Sequence, residues 1–117
     1  MSVERRKFPR FKFSLDIEIK FFEKKVVLAK TIDISYEGVR VRTMQDSVVL
    51  EPGTNMEIFI CKNRQIKKAF SLMGKAIHYS VEKSGSTIIG VKIIHNDLKL
   101  KDQWLALVEQ AKNIYNE

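Results

Sequence analysis

The chain has one cysteine, Cys61, so it can build neither an internal disulfide nor a cysteine metal cluster. With Ile60 before it and apolar residues at alternate positions, Cys61 reads as a small buried hydrophobe rather than a reactive thiol. Long apolar runs are also missing. Stretches such as Val26-Val27-Leu28-Ala29 and Thr87-Ile88-Ile89 fall far short of the roughly 20 residues that a membrane-spanning helix needs. No apolar stretch follows the charged Glu4-Arg5-Arg6-Lys7, so this end does not read as a secretion signal and a cytoplasmic location is expected.

Catalytic equipment is equally sparse. His78 and His95 have no neighbouring cysteine, no His-x-x-x-His partner and no carboxylate cluster with which to hold a metal. A structural or surface role is expected for both. No Gly-rich phosphate loop of the Walker or dinucleotide type occurs, and no serine or cysteine stands in a recognisable nucleophile setting. The expectation is a chain with no catalytic residues, no metal and no cofactor, and therefore not an enzyme.

What the sequence has in excess is positive charge: 21 Lys and Arg against 14 acids, a net charge of +7. Such a balance favours an anionic partner: a nucleotide, a nucleic acid or an acidic surface. Residues 1–12 hold Arg5, Arg6, Lys7, Arg10 and Lys12 against Glu4 alone. They read as a flexible basic segment ahead of a single domain over 13–117. At 117 residues one packed core is attainable, with about two thirds of the unfolded surface buried.

The apolar pattern is mostly of period two. Phe13, Leu15, Ile17, Ile19 and Phe21 alternate with polar residues and predict a strand with one buried face. Glu23-Lys24-Lys25 turns the chain into a second strand, Val26 to Ile34, and the two should form an antiparallel hairpin. Val39 to Thr43, Met56 to Ile60, roughly Ala69 to Tyr79, and Thr87 to Ile94 follow, with turns at Glu51-Pro52-Gly53-Thr54-Asn55, Asn63-Arg64-Gln65 and Glu82-Lys83-Ser84-Gly85-Ser86. The fold class expected is all-β with a C-terminal helix, the six strands closing into an antiparallel barrel. From about 98 to 116 the period becomes helical, with Trp104, Leu105, Val108, Ala111 and Tyr115 on one face and Asn96 or Asp97 as caps, or a later start at Lys101-Asp102.

Two short patterns carry functional information. In Arg6-Lys7-Phe8-Pro9-Arg10, Pro9 has no backbone donor and pushes Phe8 toward an extended conformation. Two arginines four apart on extended chain can stand up to roughly 13 Å apart, at about 3.3 Å per residue, and so grip different parts of one ligand. The arginine fork suits phosphate oxygens and the O6/N7 edge of guanine, and can stack on a base. The alternative is a solvated basic terminus. In Asp33-Ile34-Ser35-Tyr36-Glu37-Gly38, Asp33 and Ser35 share one side of an extended chain, and Gly38 permits a tight turn or close backbone approach. The alternative here is a strand end closed by side-chain-to-backbone turn bonds.

Taken together, and in this order ahead of this strand pattern, the two resemble the RxxxR and [D/N]xSxxG elements of PilZ domains. The resemblance extends to the Gly90-Val91-Lys92-Ile93 strand and the terminal helix, and no motif position departs from the family. It implies a six-stranded barrel that binds cyclic di-GMP on its outside. By this resemblance Arg6 and Arg10 would contact phosphates and guanine edges, Asp33 and Ser35 would hold a guanine, Gly38 would leave room for it, and Arg5 would assist. It also implies that ligand orders the arginine segment and that a downstream protein partner reads the result. A small basic barrel binding nucleic acid and a PilZ-like module binding only protein are the competing readings.

Overall fold

The computed structural model describes residues 9–21, 25–44, 51–62, 66 and 68–115. The Glu23-Lys24 and Asn63-Arg64-Gln65 parts of two expected turns, and Arg5 and Arg6, lie outside these residues, as does the side chain of Tyr115. Seven strands and a helix are present: β1 (Phe11–Lys12), β2 (Asp16–Phe21), β3 (Val26–Ile34), β4 (Gly38–Thr43), β5 (Asn55–Ile60), β6 (Phe70–Val81), β7 (Thr87–Ile94) and α1 (Leu98–Tyr115).

Pairing runs β3-β2-β5-β6-β7-β4, and a further β3–β4 pairing closes the ring. The result is a six-stranded antiparallel barrel with β1 as an extra strand, as the spacing of the apolar residues implied. Closure removes the open edges that a sheet of this size would otherwise present. Alternation decides which side faces in: Ile17, Ile19 and Phe21 of β2, Met56, Ile58 and Ile60 of β5, and Ile89, Val91 and Ile93 of β7 are all buried. Burying a side chain of this size contributes about 1.5–3 kcal/mol, so a one-residue slip of any strand would forfeit several such terms at once.

The first strand differs from its expected form. One continuous strand from Phe13 to Phe21 would follow from the alternation, yet the register against β3 is Phe11↔Ile34 and Lys12↔Asp33 on one side and Asp16↔Lys30 onward on the other. The break is one residue of slippage, and Thr31 bridges it. Its buried hydroxyl accepts from the Leu15 amide at 2.8 Å and donates to the Phe13 carbonyl, supplying the bonds that the interrupted ladder lacks. Phe11 and Lys12, the end of the expected basic segment, form β1, and Phe11 is buried in the core.

The helix begins where Asp97 accepts the Leu100 amide at 3.0 Å, an N-cap bond. Trp104, Leu107, Val108 and Ala111 form its buried stripe, spaced i, i+3, i+4, i+7, and α1 packs against β1 and β6. Leu107 belongs to this face although the expected set omitted it; Leu105 is only partly buried. Among the described residues no helix is long and apolar enough to cross a membrane.

Candidate functional site

The turn from β3 into β4 is built by its own side chains. The Gly38 amide donates to Ser35 Oγ at 3.1 Å, and the Ser35 amide donates to the Gly38 carbonyl at 2.8 Å. Surrounding elements then fix its position. The buried Trp104 indole N–H donates to the Ser35 carbonyl at 2.9 Å, Tyr36 donates to Glu109 Oε1 at 2.6 Å, and the Ile93 amide donates to the Glu37 carbonyl at 2.8 Å. His95 Nε2 lies 3.1 Å from the Tyr36 carbonyl; a carbonyl only accepts, so Nε2 carries the proton. The glycine is required by proximity, since a Cβ at Gly38 would lie 3.0 Å from the Val91 carbonyl.

Because β1 pairs with the last residues of β3, Arg10 emerges beside this turn. Arg10, Ser35, Gly38, Ile77, His78 and Lys92 are among the residues that line a cleft of about 260 Å³. Three of the expected site residues are thus brought together by the fold. Asp33 is not part of the cleft lining; it is buried beside it and accepts from Arg40 Nη2 at 2.6 Å. Of the two uses considered for this motif, Ser35 does make turn bonds, whereas Asp33 makes an ion pair. Arg5 and Arg6 lie outside the described residues.

Ile77, His78, Gly90 and Lys92 escaped sequence reasoning. The reason is a bulge: the β6–β7 register runs Ala76↔Val91 and then His78↔Gly90, leaving Ile77 unpaired. A bulge interrupts the alternation that makes a strand readable, and both Ile77 and His78 come to face outward. Gly90 makes room for the histidine, because a Cβ there would lie 2.6 Å from His78 Cε1 and Nε2. The only signal in the sequence was the apolar Ile77 followed by His78 where the strand pattern calls for strict alternation.

The cleft lining includes the cationic Arg10 and Lys92 with Glu37 as the opposing charge, which suits an anionic ligand. No group of metal-ligating side chains exists among the described residues.

This barrel, extra strand and helix can be compared with known proteins. The family model for the PilZ domain matches residues 4–110. The chain belongs to the PilZ domain family. Solved structures share the fold at low identity. The PilZ domain with c-di-GMP of YcgR from Escherichia coli superposes with a TM-score of 0.76 at 11% identity, over 94% of this chain and 93% of that one. The inhibitor of motility MotI/DgrA from Bacillus subtilis gives 0.73 at 15%, over 94% of this chain and 52% of that one. The MrkH–c-di-GMP complex from K. pneumonia gives 0.70 at 16%, over 95% and 56%. The chain thus spans about half of the latter two proteins. No curated protein matches it.

Proposed function

We propose that this PilZ domain is a bacterial, cytoplasmic receptor for cyclic di-GMP that signals to a protein partner and catalyses nothing. The observation that carries the reading is the meeting of Arg10 with Ser35 and Gly38 in one cleft, although Arg10 and Ser35 stand 25 positions apart in sequence. Two solved neighbours are described as bound to c-di-GMP, which supports the same ligand here.

In this reading Arg6 and Arg10 hold phosphates and guanine edges, with help from Arg5, while Asp33 and Ser35 engage a guanine and Gly38 leaves space for it. Neutralising the arginines draws the basic segment onto the barrel, and the new surface is what a partner meets. Nucleic acid fits less well. Base stacking would need a row of exposed aromatics, but Tyr36 and Tyr79 are partly buried against the core, Tyr36 is also tied to Glu109, and Phe59 pairs with Ser71, far along β6 from Tyr79. They form no continuous stacking row.

Isothermal titration tests the reading. The protein is expected to bind cyclic di-GMP in preference to GMP, GTP and cyclic di-AMP, and R6A and R10A are each expected to weaken binding about 10- to 150-fold, the equivalent of one charged hydrogen bond. Equal affinity for cyclic di-AMP, or wild-type binding by both variants, would refute it.

A further inference from the structure

The buried carboxylate of Asp33 is only half used. Its side chain is 10% exposed and its Oδ2 receives Arg40 Nη2 at 2.6 Å, yet Oδ1 and the Arg40 Nε are both buried with no hydrogen-bond partner among the described residues. A carboxylate can accept about four hydrogen bonds, and leaving a buried polar atom unpaired is unfavourable enough that each instance calls for an explanation. A cation gripping one oxygen while the other stays empty is the arrangement of an acceptor awaiting a donor.

The backbone makes this pairing deliberate. From Ala29↔Thr43 to Thr31↔Val41 the β3–β4 register is regular, but it then shifts so that Asp33, rather than Ile32, lies opposite Arg40. Arg40 in turn lies opposite Gly90, and Gly90 opposite His78. The register shifts of the β3–β4 and β6–β7 pairs thus converge on one row, Asp33-Arg40-Gly90-His78, of which Gly90 and His78 line the cleft that holds Arg10 and Ser35.

We propose that Arg40 is a positioning residue: it clamps one oxygen of Asp33 so that the other, covered in the free protein, is held in place for the N–H edge of a guanine that uncovers it, and the base preference of the site depends on Arg40 as much as on Asp33. This rests on the cyclic di-GMP reading above. Guanine carries adjacent N1 and N2 donors, whereas adenine offers an acceptor at N1, so a fixed carboxylate oxygen separates them and a swinging one does so poorly. Arg40 need not touch the ligand.

The test is a double-mutant cycle read by calorimetry with cyclic di-GMP and cyclic di-AMP on the wild type, R40A, R40K, D33A and R40A/D33A, with thermal melting of each. R40A should weaken cyclic di-GMP binding about tenfold or more and narrow its margin over cyclic di-AMP. R40K, which keeps the charge, should recover part of both, and R40A should add nothing in the D33A background. If R40A melts early, R40K decides alone: a folded R40K must still show a narrowed margin. Wild-type affinity and selectivity in the arginine variants, or losses that add in the double mutant, would overturn the inference while leaving the receptor reading intact. No binding by the wild type would overturn both.

Discussion

Trp104 donates its indole N–H to the Ser35 carbonyl across 2.9 Å in the protein interior, so the terminal helix directly holds the turn that carries the serine-glycine motif. Trp104→Phe keeps an aromatic ring but strands a buried carbonyl, which costs about 1–3 kcal/mol in addition to lost packing. Urea unfolding should show a lower midpoint. An unchanged midpoint would mean that the bond contributes nothing.

Two glycines should respond oppositely to the same substitution. At Gly74 a Cβ would sit 2.5 Å from Val91 Cγ1 and 3.3 Å from both Ile58 Cδ1 and the Lys92 carbonyl, so Gly74→Ala overpacks the core and is expected to destabilise by about 1–3 kcal/mol. At Gly90 the three atoms nearest a Cβ all belong to the exposed His78 ring, so Gly90→Ala displaces a side chain that can yield. It should leave the melting temperature nearly unchanged while weakening ligand binding in the cleft. Equal destabilisation by both would contradict the assignment of His78 as the yielding neighbour.

The Tyr36 hydroxyl is pushed above the ordinary tyrosine value, first by its hydrogen bond to Glu109, then by burial and by the carboxylate charge. A raised folded value means that the contact is fully present below the unfolded value of about 10 and is lost as pH rises through the folded one. Tyrosinate absorbance, taken as wild type minus Y36F, should show a group ionising above pH 10, and E109Q should bring it back down. Ionisation at the ordinary value in the wild type would remove the contact from solution.

Cys61 is half-buried rather than fully enclosed, but burial raises its thiol value, with Glu18 and Asp16 adding to the effect. Since the thiolate is the nucleophile, iodoacetamide at neutral pH should alkylate the folded protein more slowly than the unfolded chain. E18Q should quicken the reaction. A folded rate equal to the unfolded one would count against the shift.

Strand limits were legible from the residues alone where turn residues flank an apolar β-rich run: β3 and β7 have the limits that the sequence suggested, Val26–Ile34 and Thr87–Ile94. What stayed hidden follows from bulges, because one unpaired residue inverts every later inside-outside assignment. Ile77 hides the cleft wall in this way, and the slip near Ile32 hides the partnership of Asp33 with Arg40. The site motifs could be read because they are local in sequence; Arg40 lies beyond the motif, and His78 and Lys92 come from strands that only the closed barrel brings near.

The break at Thr31 separates two kinds of cohesion. β2 is locked on both sides by β3 and β5, but the ladder of β1, beyond the interruption, consists among the described residues of the pairs Phe11↔Ile34 and Lys12↔Asp33, with α1 packed against it. A stretch with so little ladder can open locally at far less free energy than global unfolding requires. Arg10 leaves the cleft when β1 opens, while the barrel persists, so occupancy of the cleft and integrity of the fold are separately tunable. Substitutions at Phe11 or Thr31 could set how often the site exists without altering any residue that touches its ligand.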